Sequence, residues 1–205
     1  MLKVEIAVVS MFATNCYLVY SEPTRATLVI DPGAEAKKII DIIKRLNLDP
    51  KYIINTHGHI DHIGANGKIK AEFNVPIMLH KNDVDLYHNP GFGLKHVLKK
   101  QPQPDHFLKE DDIISIGSDN FKVIETPGHT QGGISILSGA CLFSGDTLFA
   151  GSIGRTDLAG GSYRELMSSI HEKLLTLPAD TKVYPGHGPL TTIGEETVSN
   201  PFLTE

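Results

Sequence analysis

The sequence predicts one mixed α/β domain whose sheets are covered on the outside by helices. Three observations predict it. The 205-residue chain is long enough to bury a sizeable core without disulfides or metal merely to hold it folded. Short apolar runs of strand length outnumber the helical stretches. The amphipathic helices are interspersed among those runs rather than gathered at one end.

Taken in order, apolar runs at 2–9, 16–20 and 26–30 read as strands. A helix over 35–47 places Ala36, Ile39, Ile40, Ile43 and Leu46 on one face, with Lys37, Lys38, Asp41 and Lys44 off it. A strand at 51–55 runs into a histidine-rich segment, and a shorter helix is predicted at 63–72. A strand at 76–79 and a helix at 82–88 follow. The stretch 89–106 is broken by Gly91-Phe92-Gly93 and Gln101-Pro102-Gln103-Pro104, so it reads as irregular, exposed and lid-like. Strands are expected at 112–116, 120–125, 133–137 and 140–144. The helix at 163–176 aligns Leu166, Met167, Ile170, Leu174 and Leu175, and Ser162 and Glu165 have capping-box spacing. A strand at 182–184 and a helix at 194–199 complete the chain, and no repeat or low-complexity segment interrupts it.

Charge and composition narrow the partners. Lys plus Arg is 19 and Asp plus Glu is 24, a net −5 with His neutral. That mild acidity gives no electrostatic reason to expect nucleic acid or an anionic membrane. No apolar stretch approaches the ~20 residues of a membrane span. The alternating N-terminus lacks the apolar core of a signal peptide. Cys16 and Cys141 each sit in an apolar run and read as buried, reduced thiols. A cytoplasmic, reducing location is the expectation.

Residues 56–62 read Thr-His-Gly-His-Ile-Asp-His and follow an apolar strand. Three further strands end the same way: one runs into Pro127-Gly128-His129, one into Gly145-Asp146, and one into Pro185-Gly186-His187. Strands fix direction and glycine permits a sharp turn, so loops at neighbouring strand ends converge on one spot. The resulting inventory is His57, His59, Asp61, His62, His129, Asp146 and His187. One zinc ion usually takes four ligands, whereas two ions sharing a carboxylate accommodate this set. Imidazole and carboxylate donors without thiolate suit zinc, iron or manganese, and point to a catalytic rather than a closed structural site. The other histidines, His80, His88, His96, His106 and His171, read as surface or hydrogen-bonded residues.

Taken together, T-H-x-H-x-D-H with His129, Asp146 and His187 resembles the metallo-β-lactamase superfamily. The resemblance extends to Asn15-Cys16-Tyr17, the Asp31-Pro32-Gly33 turn and the tail Asn200-Pro201-Phe202-Leu203. It is nearest to the glyoxalase II-like hydrolases, and the stretch Gly151-Ser152-Ile153-Gly154-Arg155-Thr156-Asp157 points the same way. The resemblance implies a four-layer αββα sandwich. It implies a first metal on His57, His59 and His129, a second on Asp61, His62 and His187, and Asp146 bridging the two. Two divalent ions, zinc first and iron or manganese as alternatives, would generate a hydroxide that attacks an acyl thioester or related ester, with Asp61 orienting it. The chain is expected to be a single domain over 1–205, without the C-terminal helical domain that gives full-length glyoxalase II much of its glutathione-binding surface. Antibiotic-hydrolysing relatives often carry Cys where Asp146 stands, so that branch is not expected. An iron-dependent persulfide dioxygenase, using His57, His129 and Asp146, is the alternative. Thr56, Asp31 and Thr130 are candidates for orienting the imidazoles or for plain turn roles. Arg155 is expected to pair with Asp157 rather than meet substrate. Met11, Phe12 and Phe149 are either substrate contacts or core.

Overall fold

Two six-stranded sheets divide the chain between them. The computed structural model of the protein describes residues 1–89 and 101–204. In the first sheet, β1 (Leu2–Val9), β2 (Thr14–Ser21) and β3 (Ala26–Ile30) form an antiparallel meander. β4 (Asp49–Ile54), β5 (Ile77–His80) and β6 (His106–Leu108) then add in parallel, in the order β1-β2-β3-β4-β5-β6. Parallel neighbours need crossovers. These are α1 (Ala36–Arg45) between β3 and β4, and α2 (Ile60–Ile63) with α3 (Asn66–Phe73) between β4 and β5. A short 3₁₀ turn, Lys81–Asp83, leads into α4 (Val84–His88).

The second sheet contains β7 (Ile113–Ile116), β8 (Asp119–Glu125), β9 (Ile134–Ser138) and β10 (Cys141–Gly145), paired antiparallel. A small hairpin follows, β11 (Leu148–Phe149) with β12 (Ser152–Ile153). Next comes α5 (Tyr163–Ser169), which widens into a π-type turn at Ile170–Leu174. β13 (Lys182–Pro185) joins parallel to β10, and β14 (Thr191–Thr192) closes the edge before α6 (Ile193–Ser199). Ser162 Oγ accepts the Glu165 N–H at 3.3 Å, so the predicted cap starts α5.

Three buried clusters define the four-layer αββα sandwich. Between the sheets lie Tyr17, Val19, Leu28, Ile30 and Ile54 from the first, against Phe121, Val123, Ile134, Ile136 and Phe143 from the second. Outside the first sheet, Ile39 and Ile43 of α1 and Ile69 of α3 cover Leu18, Val29 and Ile53. Outside the second, Leu166, Ile170 and Leu174 cover Ile124, Leu142 and Val183. Full burial of each such aliphatic side chain contributes about 1.5–3 kcal/mol. Tyr17, Phe143 and Tyr184 interlock across the inner layer, with ring centroids 4.9–5.6 Å apart.

Several expectations need correction. The helix predicted at 63–72 begins earlier and is split, so Asp61 and His62 stand on a helical turn rather than in a loop. His106, placed at the end of an irregular stretch, begins β6, and Gln101, expected to be exposed, is buried. Gly91-Phe92-Gly93, His96 and the lid-like reading of that stretch lie outside the described residues. Cys141 is only half-buried; Cys16 is buried, and both thiols are free. Met11 and Phe12 are 91% and 57% exposed at the β1–β2 tip, so they are not core. Among the described residues no helix is long and apolar enough to cross a membrane.

Candidate metal centre

Parallel direction carries the site residues to one edge of the sandwich. β8, β10 and β13 run the same way in the second sheet, and β3 and β4 run together in the first. His57 and His59 follow β4, and Asp61 and His62 stand on α2 just beyond them. His129 follows β8, Asp146 follows β10, and His187 follows β13. All seven residues singled out in the sequence meet there. The sheets are tied at this edge: Thr14 bridges His187, and Asn15 N–H donates to Gly186 O at 2.8 Å. Tyr17 Oη donates to Pro185 O at 2.6 Å. Gly186 is required by close approach, since a Cβ there would stand 2.1 Å from Asp146 Oδ1 and 2.8 Å from His62 Cε1.

The donor atoms fall into two groups joined by one carboxylate. His57, His59 and His129 form one cluster, and Asp61, His62 and His187 another, each with its donor atoms within 4.8 Å of one another. Asp146 reaches both: Oδ2 lies 3.6 Å from His129 Nε2 and 3.5 Å from His187 Nε2, and Oδ1 lies 3.4 Å from His62 Nε2. A third combination, Asp31 with His57 and His62, also has metal-ligand spacing. Its carboxylate is already committed. Asp31 Oδ1 accepts the Thr56 N–H at 2.8 Å, and Oδ2 accepts the Thr56 hydroxyl at 2.6 Å and His62 Nδ1–H at 3.0 Å.

The imidazoles are oriented from behind. Because the Thr56 hydroxyl proton goes to Asp31, Thr56 Oγ1 accepts from His57 Nδ1 at 3.1 Å. His129 Nδ1 donates to Arg155 O at 2.7 Å, and His187 Nδ1 donates to Phe12 O at 3.0 Å. These bonds put the protons on Nδ1 and turn Nε2 of His57, His62, His129 and His187 into the site. His59 faces it through Nδ1, 2.9 Å from His129 Nε2. His62 Nε2 and His187 Nε2 are 3.2 Å apart. Two nitrogens coordinating one ion at ~2.0–2.1 Å with tetrahedral angles stand roughly 3.3 Å apart. His57 Nε2 and Asp146 Oδ1 are buried with no hydrogen-bond partner. The unpartnered His57 Nε2 and Asp146 Oδ1, together with nitrogen pairs at ligand-to-ligand separations, fit a dinuclear metal site.

Electrostatics separate His57 and His59 from His62 and His187. Burial, reinforced by the neighbouring imidazoles His62 and His59, holds His57 well below its usual value and keeps it neutral. Burial and His129 lower His59 to about 4. The other pair goes the opposite way. Burial opposes protonation of His62, but the carboxylates of Asp146, Asp31 and Asp61 outweigh it and raise the ring to about 9. For His187, burial is again outweighed, here by Asp146 and Asp61, to about 10. Burial raises Asp61, yet His187 and His62 overcome it and hold the carboxyl well below the usual range.

Other predicted residues resolve simply. Arg155 makes a two-pronged pair with Asp157 at 2.7 and 2.8 Å, and its backbone carbonyl is what holds His129. Phe149 is half-buried, its ring 6.2 Å from that of His187. His80 is buried and donates to Glu125 at 3.0 Å. Thr130 holds no imidazole; its hydroxyl donates to Asp83. Asp83 itself escaped sequence reasoning, because its hydrogen-bond partners lie 25 to 49 residues away. The Pro-Gly-His-Thr and His-Gly-His turns around it carried the only signal.

The sequence and the fold match known proteins. The profile of the metallo-β-lactamase superfamily matches residues 10–187. The chain is 40% identical to hydroxyacylglutathione hydrolase GloC of Haemophilus influenzae, covering 98% of both chains. Its fold superposes on the BLEG-1 B3 metallo-β-lactamase with a TM-score of 0.92, at 40% identity over 100% of both chains. It superposes on TTHA1623 in a di-iron-bound form with a TM-score of 0.88, at 36% identity over 98% of this chain and 100% of the other. ETHE1 from Myxococcus xanthus gives 0.83 at 30% identity, over 97% and 83%. With its four layers, its strand-end histidines and carboxylates, and these relatives, the chain belongs to the metallo-β-lactamase superfamily.

Proposed function

We propose that this single-domain chain, residues 1–205, is a dinuclear metallo-hydrolase that cleaves an acyl thioester of the hydroxyacylglutathione type or a related ester. The observation that carries this reading is Asp146, whose carboxylate stands within 3.4–3.6 Å of nitrogens from both histidine clusters. His57, His59 and His129 would hold one ion, Asp61, His62 and His187 the other, and Asp146 both. Bound there, two divalent ions supply an acidified water and polarise the substrate carbonyl. Zinc suits the donor set, and iron and manganese also do. A relative named as a hydroxyacylglutathione hydrolase at 40% identity supports the substrate class.

The chain's own residues supply the rest. Asp61 stays anionic, is held by the Thr14 hydroxyl at 3.3 Å, and presents Oδ2 beside His187 to orient a water. A thiolate leaving group has a conjugate-acid pKa of ~8.5, so no strong general acid is needed. Met11 and Phe12, exposed at the hairpin tip, and Phe149 offer an apolar rim for substrate. Two free cysteines suit a reducing compartment such as the cytoplasm.

The test is hydrolysis of S-lactoylglutathione by the wild-type chain and Asp146→Ala. Measurable wild-type turnover that the substitution abolishes is expected; no turnover by metal-loaded wild type contradicts the reading. A second reading, an iron-dependent persulfide dioxygenase using His57, His129 and Asp146, is favoured by Gly154-Arg155-Thr156-Asp157. It predicts one redox-active iron per chain and thiol-dependent oxygen uptake. The neighbour named a B3 metallo-β-lactamase makes a β-lactam the third substrate to assay.

A further inference from the structure

Asp83 stands where the 3₁₀ turn after β5 meets α4, and it is 1% exposed. A buried carboxylate is costly unless donors satisfy it. Three do. Oδ2 accepts the Gly58 N–H and the Thr130 hydroxyl, each at 2.8 Å, and Oδ1 accepts the Gly132 N–H at 2.6 Å. Gly58 lies between His57 and His59; Thr130 follows His129, and Gly132 lies two residues further. One side chain therefore clamps both loops that carry the first histidine cluster.

Both loops close tightly onto it. A Cβ at Gly58 would stand 2.9 Å from Asp83 O, and one at Gly132 would stand 2.7 Å from Asp83 Oδ1. The second cluster is held by other groups: His62 by Asp31, Asp61 by Thr14, and His187 by Phe12 O. Across the two clamped loops, His59 Nδ1 lies 2.9 Å from His129 Nε2.

We propose that Asp83 is a positioning residue that sets the spacing of His57 and His59 against His129, and thereby the cation affinity of that cluster alone. This rests on the two-ion reading given above. Asparagine at this position removes the charge and turns an NH₂ group towards N–H and O–H donors, so the clamp opens at one end. A merely structural role would instead lower stability and disturb both clusters alike.

Cobalt(II) titration followed by visible absorption separates these outcomes. His187→Ala leaves the first cluster intact, and His129→Ala leaves the second. Adding Asp83→Asn in the His187→Ala background should weaken cobalt binding by about 10–100-fold, the usual cost of losing a group that orients metal ligands. In the His129→Ala background it should change nothing. Equal weakening in both backgrounds, or none in either, overturns the proposal. Should circular dichroism show Asp83→Asn unfolded, Thr130→Val and Thr130→Ser are compared in the same backgrounds. Selective weakening by Val with recovery by Ser supports the proposal, and any other pattern overturns it. Wild-type chain that fails to take up two equivalents of cobalt overturns the two-ion reading itself, whereas two equivalents with affinities indifferent to Asp83 overturn only this inference.

Discussion

His57 and His59 sit beside His62 and His187 but are shifted in the opposite direction. His57 and His59 are neutral in the metal-free chain near pH 7, whereas neighbouring carboxylates keep His62 and His187 protonated. Ligation requires neutral imidazole, so uptake at the second cluster must release protons from His62 and His187 and strengthen with rising pH, whereas His57 and His59 have none to release. Calorimetric titration in buffers of different ionisation heat should show this proton release; heats independent of buffer would contradict it. The same shifts give the sign of the stability change. His62 rises from 6.5 unfolded to about 9 folded, so its contribution is complete below pH 6.5 and is lost as pH climbs through about 9. Melting temperature of metal-stripped protein should therefore fall between pH 6.5 and about 10, the folded value of His187. Ligand-type residues were legible here because each followed an apolar strand through a tight turn. Asp83 was not, because its donors lie on segments far from it in sequence.

At the scale of elements, the strands act as rulers and the helices as cladding. α1 shows this most plainly: Ile39 and Ile43 are fully buried against Val29 and Ile53, yet nothing on the helix enters the site. Ile39→Ala should cost about 2–5 kcal/mol, or about 4–20 °C in Tm for a domain of this size. Turnover per folded chain should be unchanged; a matching loss of kcat would show the helix reaching the site. α1 was readable because its apolar spacing runs over three turns. β11, β12 and β14 were not, since two residues cannot display alternation. Nor was the π-type turn at Ile170–Leu174, which leaves the apolar face of the predicted helix in place while changing only its pitch.

Across the whole molecule, the site is a seam. The first sheet and its crossover supply His57, His59, Asp61 and His62; the second supplies His129, Asp146 and His187. Cations at this seam would join the halves, so stripping them with a chelator should lower Tm reversibly. Metal at about 1,000 times its Kd stabilises by about 4 kcal/mol, roughly 8–16 °C here. Sheets covered by helices were legible from strand count and interspersed helices, and the four layers from family resemblance alone, whereas the inter-sheet fastening through Asn15, Tyr17 and Pro185 required coordinates. The most direct test of the central claim is the metal content, by elemental analysis, of chain purified without added metal and then saturated and dialysed. About two divalent ions per chain are predicted, falling when His129, Asp146 or His187 is replaced by alanine. A chain that retains no metal, or whose metal content ignores those three substitutions, would contradict it.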